Sequence, residues 1–151
     1  MRITVLGAGA WGTALAKLLH EAGHEVVLWG HAERLKVIGQ KGRNERYLPG
    51  IDLPVNLSLE PELSTALHSA GCAVVAVPSR NFREAADRLK DFDGIAVSVT
   101  KGIEHNSGLT MGGILAECAP NTQVAALSGP SLAAEVARGI PTALVSASAD
   151  E

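Results

Sequence analysis

Apolar residues fall along this chain in short continuous runs that alternate with longer stretches of helical spacing. Ile3, Val5 and Leu6 read as a buried strand. Trp11, Ala14, Leu15, Leu18, Leu19 and Ala22 then recur every three or four residues, and Gly23 stops the run. A second apolar strand follows at once at Val26-Val27-Leu28-Trp29. Ala32 to Ile38 predicts a short helix, and Gly39 to Pro54 an irregular segment dense in Gly, Pro, Asn and Arg, of the length that usually works or moves.

Beyond it, Val55-Asn56-Leu57 predicts a short strand, and Leu59, Leu63, Ala66, Leu67 and Ala70 trace one helix face, started by Glu60-Pro61-Glu62 and stopped by Gly71. Cys72 to Val77 contains no polar residue, which predicts a central strand. Ser79 is a candidate N-cap for a helix burying Phe82, Ala85, Ala86 and Leu89. Ile95 to Val99 and Gln123 to Leu127 predict further strands, and Thr142 to Val145 a last one. Between them lie a helix carrying Met111, Ile114, Leu115 and Cys118, with Asn106 and Ser107 as cap candidates, and a helix carrying Leu132, Ala133 and Val136. Strands alternating with helices throughout predict an α/β fold of Rossmann type, a doubly wound, mostly parallel sheet covered on both faces.

With 151 residues, 46% hydrophobic content and a formal charge of −3, the chain is expected to be one domain, residues 1–151, with a real core. The mild acidity and 3% aromatic content give no footprint for nucleic acid. Arg2 and the apolar run to Ala16 superficially imitate a signal peptide, but Gly7, Gly9, Gly12 and Thr13 interrupt it, so a cytoplasmic chain without a membrane span is expected. Cys72 and Cys118 lack CxxC spacing and are expected to be buried reduced thiols; the five histidines have no metal-ligand spacing, so no metal is expected.

Gly7-Ala8-Gly9-Ala10-Trp11-Gly12 joins the first strand to the first helix, which is the setting a dinucleotide-binding turn requires. There Gly7 would make the tight turn, Gly9 admit a pyrophosphate, and Gly12 let helix and strand pack closely. The helix N-terminus, from Ala10 and Trp11, would offer its N–H groups to the phosphates. Ligands in such sheets bind at the carboxyl ends of the strands, which selects His31, Pro78, Lys101 and Ser128 to Ser131. No Asp or Glu stands at the tip of the second strand, while His31 and Arg34 can meet a 2′-phosphate. NADP, or use of both cofactors, is therefore favoured over NAD, with an ordinary loop histidine at His31 and a ribose-binding role for nearby Glu33 as the competing readings. Lys101 is either a cation at the cofactor crevice or a solvated lysine. Ser128-Gly129-Pro130-Ser131 either holds a polar ligand or simply caps a helix through Ser131.

These stretches together resemble the cofactor domain of bacterial-type NAD(P)-dependent glycerol-3-phosphate dehydrogenases. The resemblance runs through Gly7 to Ala16, Val27 to His31, Tyr47-Leu48-Pro49-Gly50, Val77-Pro78-Ser79, Thr100-Lys101-Gly102-Ile103-Glu104, Ser128 to Ser131 and Gly139-Ile140-Pro141-Thr142. It implies interconversion of sn-glycerol 3-phosphate and dihydroxyacetone phosphate in the cytoplasm, feeding phospholipid synthesis, by hydride transfer with NAD or NADP. It implies that Trp11, His31 and Ala133 contact the cofactor, that Lys101 touches cofactor and substrate, and that Gly129 and Ser131 line the substrate side. It also implies a second, helical domain that carries the catalytic lysine and a homo-oligomeric whole protein. No further lysine in a catalytic context follows Lys101. The chain is therefore expected to be a cofactor-binding fragment, inactive alone and holding no catalytic residue itself. The rivals are another two-domain reductase, of ketopantoate or hydroxyacid type, and a non-catalytic nucleotide-sensing module.

Overall fold

The computed structural model describes residues 1–149. Its seven strands form one sheet: β1 (Arg2–Leu6), β2 (Glu25–Trp29), β3 (Ser58–Glu60), β4 (Cys72–Val75), β5 (Ile95–Ser98), β6 (Gln123–Ser128) and β7 (Val145–Ser148), in the order β3-β2-β1-β4-β5-β6-β7. All neighbours pair in parallel except β6 and β7, which run antiparallel at one edge. The polar-free strand β4 lies fourth of the seven, where both of its faces and both of its edges are covered.

Pleating divides the strand side chains between two cores. Val5, Leu28 and Val74 point to one face and pack with Leu15 of α1 (Ala10–Glu21) and with Leu35 and Ile38 of α2 (Ala32–Lys41). Leu6, Ala73 and Val75 belong to the other core, with Leu63 of α3 (Leu63–Leu67), Phe82 and Ala86 of α4 (Phe82–Asp87), and Ile114 and Leu115 of α5 (Met111–Cys118). A last helix, α6 (Ala133–Ala137), lies against α1. The doubly wound arrangement thus follows from alternating apolar residues on strands that have helices to face on either side.

Five local expectations move. The third strand is Ser58–Glu60, and Val55 is fully exposed in the turn before it, because Leu57 and Leu59, not Val55, supply the buried contacts. Leu59 consequently sits in β3, and α3 begins only at Leu63. Ser79 caps nothing; it opens a single 3₁₀ turn, Ser79–Asn81, that leads into α4. Helix α5 is capped by Thr110, whose hydroxyl accepts from Gly113 N at 3.2 Å, whereas Ser107 is occupied by a neighbouring carboxylate. The last strand is also displaced, to Val145–Ser148.

Cys72 is buried, which pushes its thiol pKa up, but Cys118 is only partly covered. Replacing Ile114, which is completely buried, by Ala is expected to destabilise the fold by about 2–5 kcal/mol through the cavity it leaves. Val55→Ala is expected to shift stability by less than about 0.5 kcal/mol. Urea denaturation of the two variants checks both values.

Candidate cofactor site

The order of the strands reverses between β1 and β4, and the chain leaves both strands on the same side of the sheet. A crevice therefore opens there. It is a cleft of about 920 Å³ whose floor is the glycine turn after β1 and the segment Ala76-Val77-Pro78 after β4.

Two of the three glycines in the turn are dictated by packing. Gly7 has φ +119°, and a Cβ on it would stand 2.7 Å from the Ala76 carbonyl oxygen. A Cβ on Gly12 would stand 1.9 Å from the Gly7 carbonyl oxygen, so α1 could not approach the turn as closely as it does. Gly9 differs: a Cβ there would meet nothing within 4 Å. It borders open cleft, and the space a side chain would take lies where a ligand backbone would pass. Gly9 is also the N-cap of α1 and supplies no side-chain cap bond, and the first turn of α1 carries no acidic residue. The N-terminal N–H groups and the positive end of the helix dipole thus face the cleft without a carboxylate of their own turn competing for them. These features fit a dinucleotide pyrophosphate.

Gly9, Ala10, Trp11, His31, Arg34, Pro78, Lys101, Ser131 and Ala133 all line the cleft, as does Gly7, while Gly12 lies beneath the turn. Gly129 departs from expectation and is not part of the lining. A Cβ on it would stand 2.7 Å from the Ala143 carbonyl oxygen, so the approach of the chain entering β7 fixes this glycine. Its own carbonyl accepts from the Lys101 Nζ at 2.7 Å and from the Ser131 N–H at 3.0 Å. Ser131 caps no helix either; Leu132 holds that place before α6.

At the tip of β2, Trp29 stands where a ribose-binding carboxylate would be expected. Its ring lines the cleft and its Nε1 donates to the Pro61 carbonyl at 2.8 Å. Glu33 is exposed on α2 and does not line the cleft, whereas Arg34 does and lies 4.8 Å from the centre of the Tyr47 ring.

Sequence reasoning missed two contributors from the irregular segment. Tyr47 lines the cleft, held between Arg34 and Arg46. Asn44 is buried, and its Nδ2 donates to the Ala8 carbonyl at 3.1 Å and to the Thr13 hydroxyl at 2.8 Å, fastening this segment to the glycine turn. An Asn after a helix-ending glycine was the available signal, but it named no partner.

Lys101 follows β5. Thr100 donates its hydroxyl to the Val77 carbonyl at 2.7 Å, tying the end of β5 to β4. Beyond Gly102, Glu104 turns away from the cleft and receives the Arg83 guanidinium, with Nη2 at 2.7 Å and Nε at 2.9 Å. Arg83 and then the Ser107 hydroxyl hold the Glu104 carboxyl down at about 2, well below its ordinary 4.5.

The architecture and the site define a dinucleotide-binding α/β domain of Rossmann type. The family described as the N-terminus of NAD-dependent glycerol-3-phosphate dehydrogenase matches residues 2–151, and the chain belongs to that family. It is 45% identical to a glycerol-3-phosphate dehydrogenase [NAD(P)+] of Mesorhizobium japonicum, an alignment covering 99% of this chain and 45% of that protein. An enzyme of the same description from Chlorobium phaeobacteroides is 46% identical, with 98% and 46% covered. The crystal structure of glycerol-3-phosphate dehydrogenase from Coxiella burnetii superposes with a TM-score of 0.91 at 35% identity, over 99% of this chain and 47% of that one. The chain spans about half the length of the relatives it matches. A ketopantoate reductase from Ralstonia eutropha, at 24% identity and a TM-score of 0.67, shares the fold alone. Membership of an NAD(P)-dependent family makes NAD or NADP the cofactor class.

Two outcomes follow from this geometry. Gly9→Ala is expected to leave the unfolding midpoint nearly unchanged while weakening dinucleotide binding, whereas Gly12→Ala is expected to lower both; thermal melts and NADPH titrations distinguish them. Glu104 has its pKa lowered on folding, so its contribution to stability is complete above about 4.5 and is lost as the pH falls towards about 2. Urea midpoints recorded down that range are expected to fall less steeply in Glu104→Gln than in the unaltered chain.

Proposed function

We propose that this chain is the cofactor-binding part of an oxidoreductase that interconverts sn-glycerol 3-phosphate and dihydroxyacetone phosphate with NAD(P)(H), and that it binds NADP in preference to NAD. The observation that carries the reading is the cleft at the β1/β4 reversal, with an open Gly9, a free α1 N-terminus and Lys101 at its rim. The names of the relatives supply glycerol 3-phosphate, and dehydrogenation of its secondary alcohol gives dihydroxyacetone phosphate. Provision of a phospholipid precursor in the cytoplasm is the corresponding physiological setting.

In this reading the nicotinamide supplies hydride chemistry when bound. The N–H groups of the α1 first turn hold the pyrophosphate, and Trp11 and Ala133 bound the cofactor on the side of α1 and α6. His31 and Arg34 receive the 2′-phosphate. Arg34 offers a planar fork of donors suited to that group, and neither residue has a carboxylate partner among the ion pairs of the described residues. Lys101, through a flexible amine already directed to the Gly129 carbonyl, places positive charge near the carbonyl oxygen on which negative charge develops. Ser131 lies on the substrate side of the cleft, and Gly129 acts there through its backbone. The catalytic lysine that the family resemblance implies belongs to its second, helical domain, so this chain alone is expected to bind cofactor without turnover.

Isothermal titration of the 151-residue chain with NADPH and NADH tests this. NADPH is expected to bind about tenfold more tightly, and Arg34→Ala to abolish most of that difference, consistent with a charge-assisted contact of about 1.5–3 kcal/mol. Equal or reversed affinities would overturn the preference. Reduction of dihydroxyacetone phosphate by the chain alone would overturn the assignment of the catalytic lysine to the second domain.

A further inference from the structure

Apart from Leu109, which packs against the core near its far end, the loop that delivers Lys101 has little apolar burial to hold it. Between Lys101 and Thr110, Ile103 is 67% exposed and Leu109 is only partly covered; Lys101, Gly102, His105, Asn106, Ser107 and Gly108 are exposed. Gly102, at φ +135°, lies immediately after the lysine and provides a flexible joint. Internally the loop is a small closed unit: Ile103 pairs with Thr110, the Glu104 N–H donates to the Leu109 carbonyl at 2.8 Å, and the Gly108 N–H donates to the Glu104 carbonyl at 2.9 Å. None of these bonds reaches the rest of the domain.

Apart from Thr110, which caps α5 at the far end of the loop, one polar connection does among the described residues. The Glu104 carboxylate accepts from Arg83 Nε and Nη2, a forked contact that fixes orientation as well as distance. It also accepts from the Ser107 hydroxyl at 2.5 Å, which locks it within the loop. Arg83 in turn belongs to α4, and its remaining terminal nitrogen donates to Glu117 at 2.6 Å and to the Cys118 sulfur at 3.4 Å, both on α5. The guanidinium thus joins the loop to two helices packed on the core. Neither Arg83 nor Glu104 lines the cleft. The connection is only three residues from Lys101 along the chain, with the Gly102 joint between.

We propose that Arg83 and Glu104 are a positioning pair for Lys101: by clamping the 102–110 loop to α4 and α5, they hold the Lys101 backbone where its amine reaches the cleft and the Gly129 carbonyl. The proposal rests on the reading of Lys101 as a cofactor- and substrate-contacting residue. Thr100, bonded to β4, fixes the chain on the upstream side of the lysine, and the clamp fixes it downstream. Without the clamp, Gly102 lets the loop swing, and the cation is spread over many positions instead of one.

The test is a double-mutant cycle in the 151-residue chain. NADPH affinity is measured for the unaltered chain, Lys101→Ala, Arg83→Met and the double variant, with amide hydrogen exchange as a second reading. Met keeps much of the arginine stem and removes the fork. Glu104→Gln, which keeps the side-chain shape, and Arg83→Lys, which keeps the charge, are measured alongside. Arg83→Met is expected to weaken binding about fivefold when Lys101 is present and to have no effect when it is Ala. Arg83→Lys is expected to recover only part of the loss, because one ammonium cannot reproduce the fork. Exchange is expected to accelerate in the 102–110 loop while the sheet amides stay protected, which separates release of the loop from unfolding.

Weakening by Arg83→Met that persists undiminished in the Lys101→Ala background would overturn the proposal, as would unchanged affinity in Arg83→Met and Glu104→Gln. Unchanged affinity in Lys101→Ala itself would instead remove the reading of Lys101 on which the proposal rests.

Discussion

Everything about this site depends on how closely α1 and β4 approach the turn that follows β1. The Gly12 position lies so near the Gly7 carbonyl oxygen that a single methyl group would stand 1.9 Å from it, and the Gly7 position lies almost as near the Ala76 carbonyl. This contact sets the depth of the crevice between the two halves of the sheet. It also aims the first-turn N–H groups of α1 along the crevice floor. Asn44 reinforces the arrangement from 31 and 36 residues away in sequence by bonding Thr13 and Ala8, so that the irregular segment closes over the turn and brings Tyr47 to the cleft.

The glycines therefore divide into two physical kinds. Gly7 and Gly12 are required by the protein itself, since no side chain fits whether or not a ligand is present. Gly9 meets no such obstacle; as the N-cap of α1 it leaves the backbone there open to the approach of another molecule. The same reasoning separates Gly129, fixed by the neighbouring Ala143, from the cleft-lining Ser131. What the later elements add is polar side chains: Lys101, Arg34 and the His31 imidazole, with Glu62 and Glu84, stand around a cleft whose floor is backbone.

Legibility in the sequence tracked the range of the interaction involved. The β1-α1-β2 unit was readable because its signals, an apolar run, a glycine turn and a helical period, all lie within neighbouring residues. The central place of β4 was readable because nothing polar interrupts it. Around Leu57 the pattern misled, since Leu59 falls four residues before Leu63 and so continues a helical period that the chain does not follow. Ser107 had the composition of a helix cap, but Glu104 engages its hydroxyl. Pairings such as Asn44 with Thr13 and Arg83 with Glu104 join residues 31 and 21 positions apart, and no local pattern announces them. The residues at the ends of the strands were legible as a set, because strand ends in a parallel sheet share one rim. Gly129 was the exception, since only the approach of β7 reveals that its side faces the chain and not the cleft.

The central claim is that the crevice above the glycine turn is a dinucleotide site built by this chain alone. A crystal structure of the 151-residue chain grown with NADPH tests it most directly. The pyrophosphate is expected against the N–H groups of Gly9 to Trp11 at the start of α1, with Gly9 in contact with the ligand and no movement of Gly7 or Gly12. Dinucleotide bound elsewhere on the domain, or a crevice that stays empty at saturating NADPH, would contradict it.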